Sequence, residues 1–301
     1  MMTSIRIFIS AAFVFALICH DLYAVSPDAA KIICCGAEKV FVVDPAKPSQ
    51  DLWSWTASDS PSIPEAFRSR FRSTDDCKPY ENDLMLITSS SRGVALIERT
   101  TKRCVFLAEV ANAHSACLLP DHQIAVAAST SGDAVEFFSQ NDSARPAVAV
   151  FKIPLRGAHG TVWDAAGTRL WALGTDELLE IKPQGKAASP VWVVAERHPL
   201  PSSGGHDLSP AHDGKNLFVT TNTQVLQFDT TDKTFTVVAG FGSGKKIKSV
   251  DVHPISKRIV FHQALADEWW SHSIRFKDAP PITLADERLY KIRWDVPAKK
   301  P

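Results

Sequence analysis

Net charge is missing from this sequence, because 33 lysine and arginine residues are balanced by 33 aspartate and glutamate residues. A protein that binds nucleic acid usually presents a strongly basic face. The balance therefore disfavours nucleic acid as a partner. Long stretches of helical periodicity are also missing, whereas short β-rich runs separated by turn residues follow one another along the chain. The sequence therefore indicates an all-β protein.

Cysteine is scarce, with six residues in a chain of 301. Five of them follow the first two dozen residues, and an odd number cannot form a complete disulfide framework. Their spacing matches no common zinc motif. Most lie in apolar, strand-like runs, so we expect core residues, with one disulfide left open in an oxidising compartment. These five are Cys34, Cys35, Cys77, Cys104 and Cys117.

A single hydrophobic run occurs at the N-terminus, from Ile7 to Ile18, after the positive charge of Arg6. It is too short to span a bilayer, and Ala24 supplies a small residue for cleavage. The pattern predicts a signal peptide over residues 1–24 and one exported domain over residues 25–301. We expect a secreted or periplasmic monomer that has no membrane association after cleavage.

Six similar units of strand, turn and strand recur along the chain. Equivalent positions in them are separated by about 45 residues, the length of one four-stranded propeller blade. These positions are Val43, Ile97, Phe138, Ile181, Phe228 and Phe276. The first unit lacks an inner strand, and the C-terminal segment 289–294 can supply it. The sequence thus predicts a six-bladed β-propeller closed by pairing of its C-terminal strand with the N-terminal blade.

Three histidines recur at the blade interval, namely His114, His159 and His206, and Lys248 and Lys291 continue the series. The three histidines and Lys248 precede their strand pairs by similar distances, and Lys291 lies in the C-terminal segment that can supply the missing inner strand. We therefore expect all five at the start of an inner strand. Inner strands surround the channel of a propeller. The predicted channel mouth therefore contains three imidazoles and two lysines, and the acidic pair Asp75 and Asp76 falls at the sixth position.

Such a ring allows two kinds of chemistry. Three imidazoles with a carboxylate such as Asp76 or Asp207 can bind zinc, manganese or iron. The histidines can instead act as acid–base groups with Asp76 orienting them, while lysines hold an anionic substrate. Candidate substrate-binding residues are Lys78, Lys248, Lys291, Trp269 and Trp270. A third interpretation, that repeated histidines are structural, stays open.

With its blades laid out, the chain resembles a family of exported microbial six-bladed propellers whose activity is not established. The resemblance covers nearly the whole mature chain. It depends on Trp53-Ser54-Trp55, Thr74 to Pro79, Asn112 to Ala116, Ala158-His159-Gly160, Leu173-Gly174, Gly204 to Pro210, Lys248-Ser249-Val250 and Arg288 to Trp294. A looser likeness is to propeller polysaccharide lyases, whose channel mouth contains histidines and a metal. Those lyases have seven blades, and no motif is shared with them.

The leading functional hypothesis is a site at the channel mouth that acts on or recognises an acidic glycan or a similar anionic ligand. Its histidines point to a metal-assisted lyase or hydrolase. The alternative is a propeller that binds a small molecule, a glycan or a protein without turnover.

Overall fold

The computed structural model describes residues 30–140, 145–185 and 191–301. Within these ranges the chain forms six antiparallel sheets of four strands each, and five of the sheets consist of strands consecutive in the sequence. The predicted six-bladed, all-β propeller is therefore confirmed. The predicted signal peptide, which includes Cys19, lies outside the described residues.

In five blades the strands follow one another in chain order from the channel outwards. In blade I, β24 is the innermost strand and β1 to β3 follow it outwards. Blades I and II contain β1 (Ile32–Gly36), β2 (Lys39–Asp44), β3 (Lys47–Trp55) and β24 (Lys291–Trp294), then β4 (Thr74–Tyr80), β5 (Leu84–Ser89), β6 (Gly93–Glu98) and β7 (Cys104–Glu109). Blades III and IV contain β8 (Ala113–Leu119), β9 (Gln123–Ala128), β10 (Ala134–Ser139) and β11 (Phe151–Pro154), then β12 (Gly160–Asp164), β13 (Arg169–Leu173), β14 (Glu177–Gln184) and β15 (Val191–Pro199). Blades V and VI contain β16 (Asp207–Pro210), β17 (Asn216–Thr220), β18 (Val225–Asp229) and β19 (Thr234–Val237), then β20 (Ile247–Val252), β21 (Ile259–Gln263), β22 (Ser273–Phe276) and β23 (Ile282–Thr283).

Blade I is completed from the other end of the chain. Its inner strand β24 pairs antiparallel with β1, with Ile32 opposite Trp294 and Cys35 opposite Lys291. The predicted closure is therefore confirmed. Pairing of the two strands removes two edges that would otherwise present free backbone hydrogen-bonding groups.

In the described part of the chain, helical structure is restricted to short segments between blades I and II. One helical turn, α1 (Glu65–Arg68), is flanked by 3-10 turns at Ala57–Asp59 and Ser69–Phe71. Phe71 packs edge-on against Trp55, with ring centroids 5.4 Å apart. Among the described residues, no helix is long and apolar enough to cross a membrane.

Apolar side chains fill the space between neighbouring blades. Between blades IV and V, for example, Trp171 contacts Phe228 edge-on at 5.2 Å and shares a buried cluster with Leu208. Strands that are buried on both faces require continuous apolar runs, and Leu84–Ser89 is buried along its whole length. The five described cysteines are buried and free, which agrees with their prediction as core residues.

Candidate functional site

Three imidazole rings from blades III, IV and V meet at one end of the channel. The rings of His114 and His159 stack with centroids 4.1 Å apart and planes inclined by 22°. His206 approaches His159 edge-on, with centroids 5.5 Å apart. The structure therefore brings together the three histidines that the sequence singles out. We call this end of the channel the histidine mouth.

A shared backbone irregularity directs side chains into this mouth. The inner strands β4, β8 and β20 each contain an extra, unpaired residue near their start, which is Asp75, His114 or Lys248. A bulge of this kind re-aims the side chain of the extra residue. In the other three blades, the residue just before the inner strand takes the equivalent position, and its backbone N–H donates to the neighbouring strand. These residues are His159, His206 and Tyr290. The mouth ring consists of Asp75, His114, His159, His206, Lys248 and Tyr290.

This register corrects two positions of the sequence prediction by one residue each. Tyr290, rather than Lys291, holds the mouth position of blade I, because both residues lie opposite Cys35. Likewise Asp75, rather than Asp76, contacts a histidine, with its Oδ1 atom 3.0 Å from Nδ1 of His114. A bulge adds one residue to a strand, and a shift of one residue turns a side chain to the other face.

Glycines allow the histidine-bearing segments to approach one another closely. A Cβ atom on Gly160 would lie 2.6 Å from the Cβ of Leu208, and one on Gly205 would lie 2.3 Å from the carbonyl oxygen of Gly174. Any larger residue would push blades IV and V apart. The glycines next to His159 and His206 therefore set the separation of the rings.

Each histidine is oriented by a hydrogen bond to one of its ring nitrogens. Nδ1 of His114 donates to Asp75, and the hydroxyl of Tyr290 lies 3.4 Å from the same nitrogen. Nδ1 of His159 lies 2.8 Å from the carbonyl oxygen of Gly157 and donates to it. Because this nitrogen carries the hydrogen, a neutral His159 has an unprotonated Nε2.

His206 is held differently, through Nε2. This nitrogen lies 2.7 Å from Oδ1 of Asn222 and 3.0 Å from Nζ of Lys248. The amide oxygen can only accept a hydrogen bond and the ammonium can only donate one, so a single ring nitrogen cannot satisfy both. The other nitrogen of His206 is buried and has no hydrogen-bond partner among the described residues.

Burial controls protonation in the mouth ring. Desolvation, reinforced by the nearby Lys248, lowers the pKa of His206 to about 3. Desolvation and the neighbouring His114 lower the pKa of His159 well below its usual value. Desolvation, followed by Lys246 and Lys291, lowers the pKa of Lys248 to about 8. At neutral pH His159 and His206 are therefore uncharged and Lys248 is mostly charged.

Deeper in the channel, four buried charged residues and the partly buried Lys78 form what we call the charge belt. The buried members are Asp76, Asp207, Lys291 and Arg293. Arg293 donates to both carboxylate oxygens of Asp207 at 2.8 and 2.6 Å, and its Nε atom lies 3.2 Å from Asp76. Lys291 lies 3.2 Å from Asp207. Burial alone would raise the pKa of both carboxyl groups, but Arg293 and Lys291 hold both below the ordinary value.

Two of the predicted anion-binding lysines thus belong to the charge belt and not to the mouth. Lys291 is 0% exposed. Lys78 donates to Ser115 Oγ at 3.0 Å and to the carbonyl oxygen of Thr161 at 2.7 Å. Asp76, predicted to orient the histidines, instead accepts a hydrogen bond from Ser115. Lys248 is therefore the predicted lysine that lies among the histidines.

The sequence prediction missed Arg293 and Tyr290. A signal was present, because alternate residues of a strand face the same side. Once Lys291 is placed in the channel, Arg293 must follow it there. Tyr290 could be found only by recognising the extra residue at the start of each inner strand.

The two tryptophans of the predicted insertion separate in the structure. Trp269 is 43% exposed, and its ring packs edge-on against Tyr290 at 5.6 Å, on the rim of the mouth. Trp270 instead packs against His272 and under the guanidinium of Arg288. Lys246 holds the loop between them and β21 by donating to the carbonyl oxygen of Leu265 at 3.2 Å. Trp269 is therefore the member of the pair available to a ligand at the mouth.

Metal binding by the three histidines is not favoured by their arrangement. The lone pairs of stacked rings lie in nearly parallel planes and do not converge on one point, as a tetrahedral site requires. Within residues 30–140, 145–185 and 191–301, three potential ligand atoms lie within 4.8 Å of one another at Glu180, Glu196 and His198. The ammonium of Lys233 already lies against both glutamates there.

A cavity of about 170 Å³ lies at the opposite end of the channel, where the inner strands finish. The charge belt separates it from the histidine mouth. Its walls include Leu118, Val162, Trp163, Asp251 and Trp294, and residues 296–301 run across it. The channel therefore has two ends of different character, one imidazole-rich and one mostly apolar.

Comparisons with solved structures agree with this architecture. A chain from a nidogen/laminin complex matches with a TM-score of 0.59 and 10% identity, over 89% of this chain and 98% of that chain. Hydrazine synthase from Kuenenia stuttgartiensis matches with a TM-score of 0.50 and 14% identity, over 71% of this chain and 67% of that chain. Likeness at such low identity shows the fold alone.

Sequence comparison identifies the family. A search of curated proteins gives no significant match. The model of a family of unknown function, DUF6528, matches residues 19–299, which is nearly the entire chain. The chain therefore belongs to the DUF6528 family of unknown function.

Proposed function

We propose that the histidine mouth binds an anionic organic ligand, with acidic glycans as the first candidate class. The observation that carries this proposal is the state of Lys248. Lys248 is only 9% exposed, and its Nζ atom forms a hydrogen bond with Nε2 of His206. Nowhere in the described ranges does a carboxylate lie within ion-pairing distance of it. Burying a cation without a partner is costly, and the carboxylate or sulfate of a ligand would remove that cost.

The rest of the mouth suits a polar ligand with an apolar face. The unprotonated Nε2 of neutral His159 can accept a hydrogen bond from a hydroxyl group, because its Nδ1 already donates to Gly157. Trp269, exposed on the rim, offers a ring against which the face of a sugar can pack. Charge recognition is thus assigned to Lys248, and the imidazoles and Trp269 read the uncharged part of the ligand.

Calorimetric titration tests this assignment with galacturonate oligomers and, as the uncharged comparison, glucose oligomers of equal length. We expect the galacturonates to bind and the Lys248→Met variant to lose about tenfold or more in affinity, because a charge-assisted contact disappears. Lys215→Met is the matched control, since Lys215 is exposed and pairs with Asp229. Equal binding by Lys248→Met and the unchanged protein would refute the role of Lys248.

Turnover is a second candidate, favoured by the contact between Lys248 and His206. A lysine whose pKa is about 8 is partly unprotonated near neutral pH and can act as a base. In a lyase reaction it would take the proton next to the substrate carboxylate. The bond from the neighbouring carbon to the glycosidic oxygen would then break, leaving a carbon–carbon double bond, and the departing oxygen would take a proton from water.

Ultraviolet absorbance of galacturonate polymers incubated with the protein detects the unsaturated product. A rise that is lost in Lys248→Met and in His206→Gln supports a lyase. A flat trace with retained binding assigns the mouth to recognition alone. Metal analysis of protein purified without chelators, together with a variant lacking all three mouth histidines, examines the metal-dependent version of the site.

We further propose that residues 1–24 are removed on export and that residues 25–301 act as one secreted or periplasmic monomer. The closed ring of six blades supports a single domain, because β24 and β1 come from opposite ends of the chain. N-terminal sequencing of protein recovered from medium or periplasm, with sedimentation analysis, tests both points. An intact N-terminus on protein retained in the cytoplasm would refute export.

A further inference from the structure

The cavity at the far end of the channel has the size and walls of a small-molecule site. Its volume, about 170 Å³, is close to that of engineered protein cavities that hold benzene. Leu118, Val162 and Leu208 supply apolar walls, and the rings of Trp163 and Trp294 border it. Flat, apolar compounds of one ring fit such a space.

Two of the cations at the wall, Arg293 and Lys78, are already paired, whereas the third, Lys299, is exposed to solvent. Arg293 is bound by Asp207 and Asp76, and Lys78 donates to Ser115 and Thr161 and lies 3.6 Å from Asp76. Neither has an unused charge to offer an anionic ligand. A cationic ligand would meet both at close range and be repelled.

Asp251 differs from these cations, because its carboxyl group can form further hydrogen bonds. It accepts a hydrogen bond from the backbone N–H of Trp294 at 2.8 Å, and within the described residues it forms no ion pair. Burial is the main influence on this group and raises the pKa of Asp251 to about 7. A protonated carboxyl group both donates and accepts, which is the complement of a carboxamide.

We propose that this cavity is a second ligand site, which binds a small, uncharged aromatic compound through a carboxamide or similar donor–acceptor group paired with Asp251. The site is independent of the histidine mouth, since the charge belt lies between them. Residues 296–301 form one wall, and Ala298 is held there by backbone hydrogen bonds with Pro79 and Glu81. A ligand therefore reaches Asp251 past this terminal segment.

Calorimetry and ligand-observed NMR with three probes of the same size test the assignment, namely benzamide, benzoate and benzylammonium. We expect benzamide to bind best. Val162→Phe fills the cavity from a partly exposed wall and should weaken benzamide binding by about tenfold or more. Val237→Phe is the matched control on the exposed outer strand β19. Lys248→Met should leave benzamide binding unchanged.

Dependence on pH identifies the group that binds the amide. Benzamide affinity should fall as pH rises through about 7, as Asp251 loses its donor hydrogen, and Asp251→Asn should retain binding without this dependence. Other charged groups face Asp251 from neighbouring segments, and they are Arg293, Asp207, Asp76, Lys78, His212 and Lys299.

Two results would overturn the proposal. One is benzamide binding that is absent or is unaffected by Val162→Phe in a folded variant. The other is tighter binding of benzoate or benzylammonium than of benzamide. A lack of galacturonate binding at the histidine mouth would affect neither result. The two proposals can therefore be refuted independently.

Discussion

Arg293 holds together two aspartates that come from different blades. Its guanidinium contacts Asp207 of β16 and Asp76 of β4, and all three side chains are almost fully buried. A buried ion pair is strongly destabilising to break, because removal of one partner leaves a charge that neither water nor protein satisfies.

Arg293→Met should therefore lower the free energy of unfolding by about 3–5 kcal/mol. Chemical denaturation followed by circular dichroism measures this change. As a control, Arg197→Met removes an exposed pair with Glu177 and should cost about 0–1 kcal/mol. A similar small loss for both variants would contradict the assigned role of the charge belt.

The depressed pKa of His206 predicts a pH dependence of stability. The unfolded chain binds a proton at His206 below about pH 6.5, whereas the folded protein does so only near about pH 3. The contribution of His206 to stability should therefore fall as pH decreases through this window, whereas Asp251, whose pKa is raised to about 7 by burial, contributes in the opposite direction. Asp76 and Asp207, whose pKa values are lowered too, add their losses only below about pH 3.9.

Denaturation at a series of pH values from 7 to 4 checks this expectation. The free energy of unfolding of His206→Gln should depend less steeply on pH than that of the unchanged protein. Identical slopes would mean that His206 titrates normally in the folded state.

Inner strands are tied to the next blade by side chains as well as by apolar packing. Ser249 Oγ of β20 accepts the backbone N–H of Ile292 at 3.0 Å, and Ser209 Oγ of β16 donates to the carbonyl oxygen of Val250 at 2.6 Å. These bonds satisfy backbone groups that face away from their own sheet. These bonds thus link the inner strands of blades V, VI and I.

Ser249→Ala should destabilise the protein by about 1–3 kcal/mol, because the buried N–H of Ile292 loses its acceptor. Ser256→Ala is the matched control, since its hydroxyl has no hydrogen-bond partner in the described part of the chain, and it should change stability by less than about 0.5 kcal/mol. Urea denaturation compares the two, and an equal effect would show that the Ser249 bond contributes nothing specific.

Most strands and the number of blades could be predicted from the sequence, because alternating apolar runs and a regular interval directly reflect the sheets. The meeting of three histidines followed from the same interval. The bulge at Asp75 could not be predicted, because the sequence does not distinguish Asp75 from the adjacent aspartate. Which of the two is the extra residue depends on how β4 pairs with β5. The same local geometry moved Lys291 into the interior and placed Tyr290 at the mouth.

Buried charged side chains lie between the two ends of the channel. Lys291 is fully buried at the level of Asp76 and Asp207. The two proposed sites therefore lie on opposite sides of this buried layer of charged residues.

Closure of the ring is predicted to control cooperativity of the whole fold. Removal of residues 289–301 takes away β24 and exposes the edges of β1 and the neighbouring inner strands, so we expect aggregation and loss of a single unfolding transition. Removal of residues 299–301 alone leaves β24 and the contact of Ala298 intact and should preserve both. Size-exclusion chromatography and thermal melts distinguish the two, and a monomeric, cooperative protein without β24 would contradict the prediction.

The position of β24 also determines when the first blade can be completed during synthesis. Translation delivers a chain from its N-terminus, yet Ile32 pairs with Trp294, a partner that is made after the other five blades. The first blade must therefore wait, incomplete, while the other five emerge from the ribosome. The ring of blades therefore cannot close until β24 has been made. This delay favours an export route that takes up the unfolded chain, and it increases the need for chaperones if export is delayed.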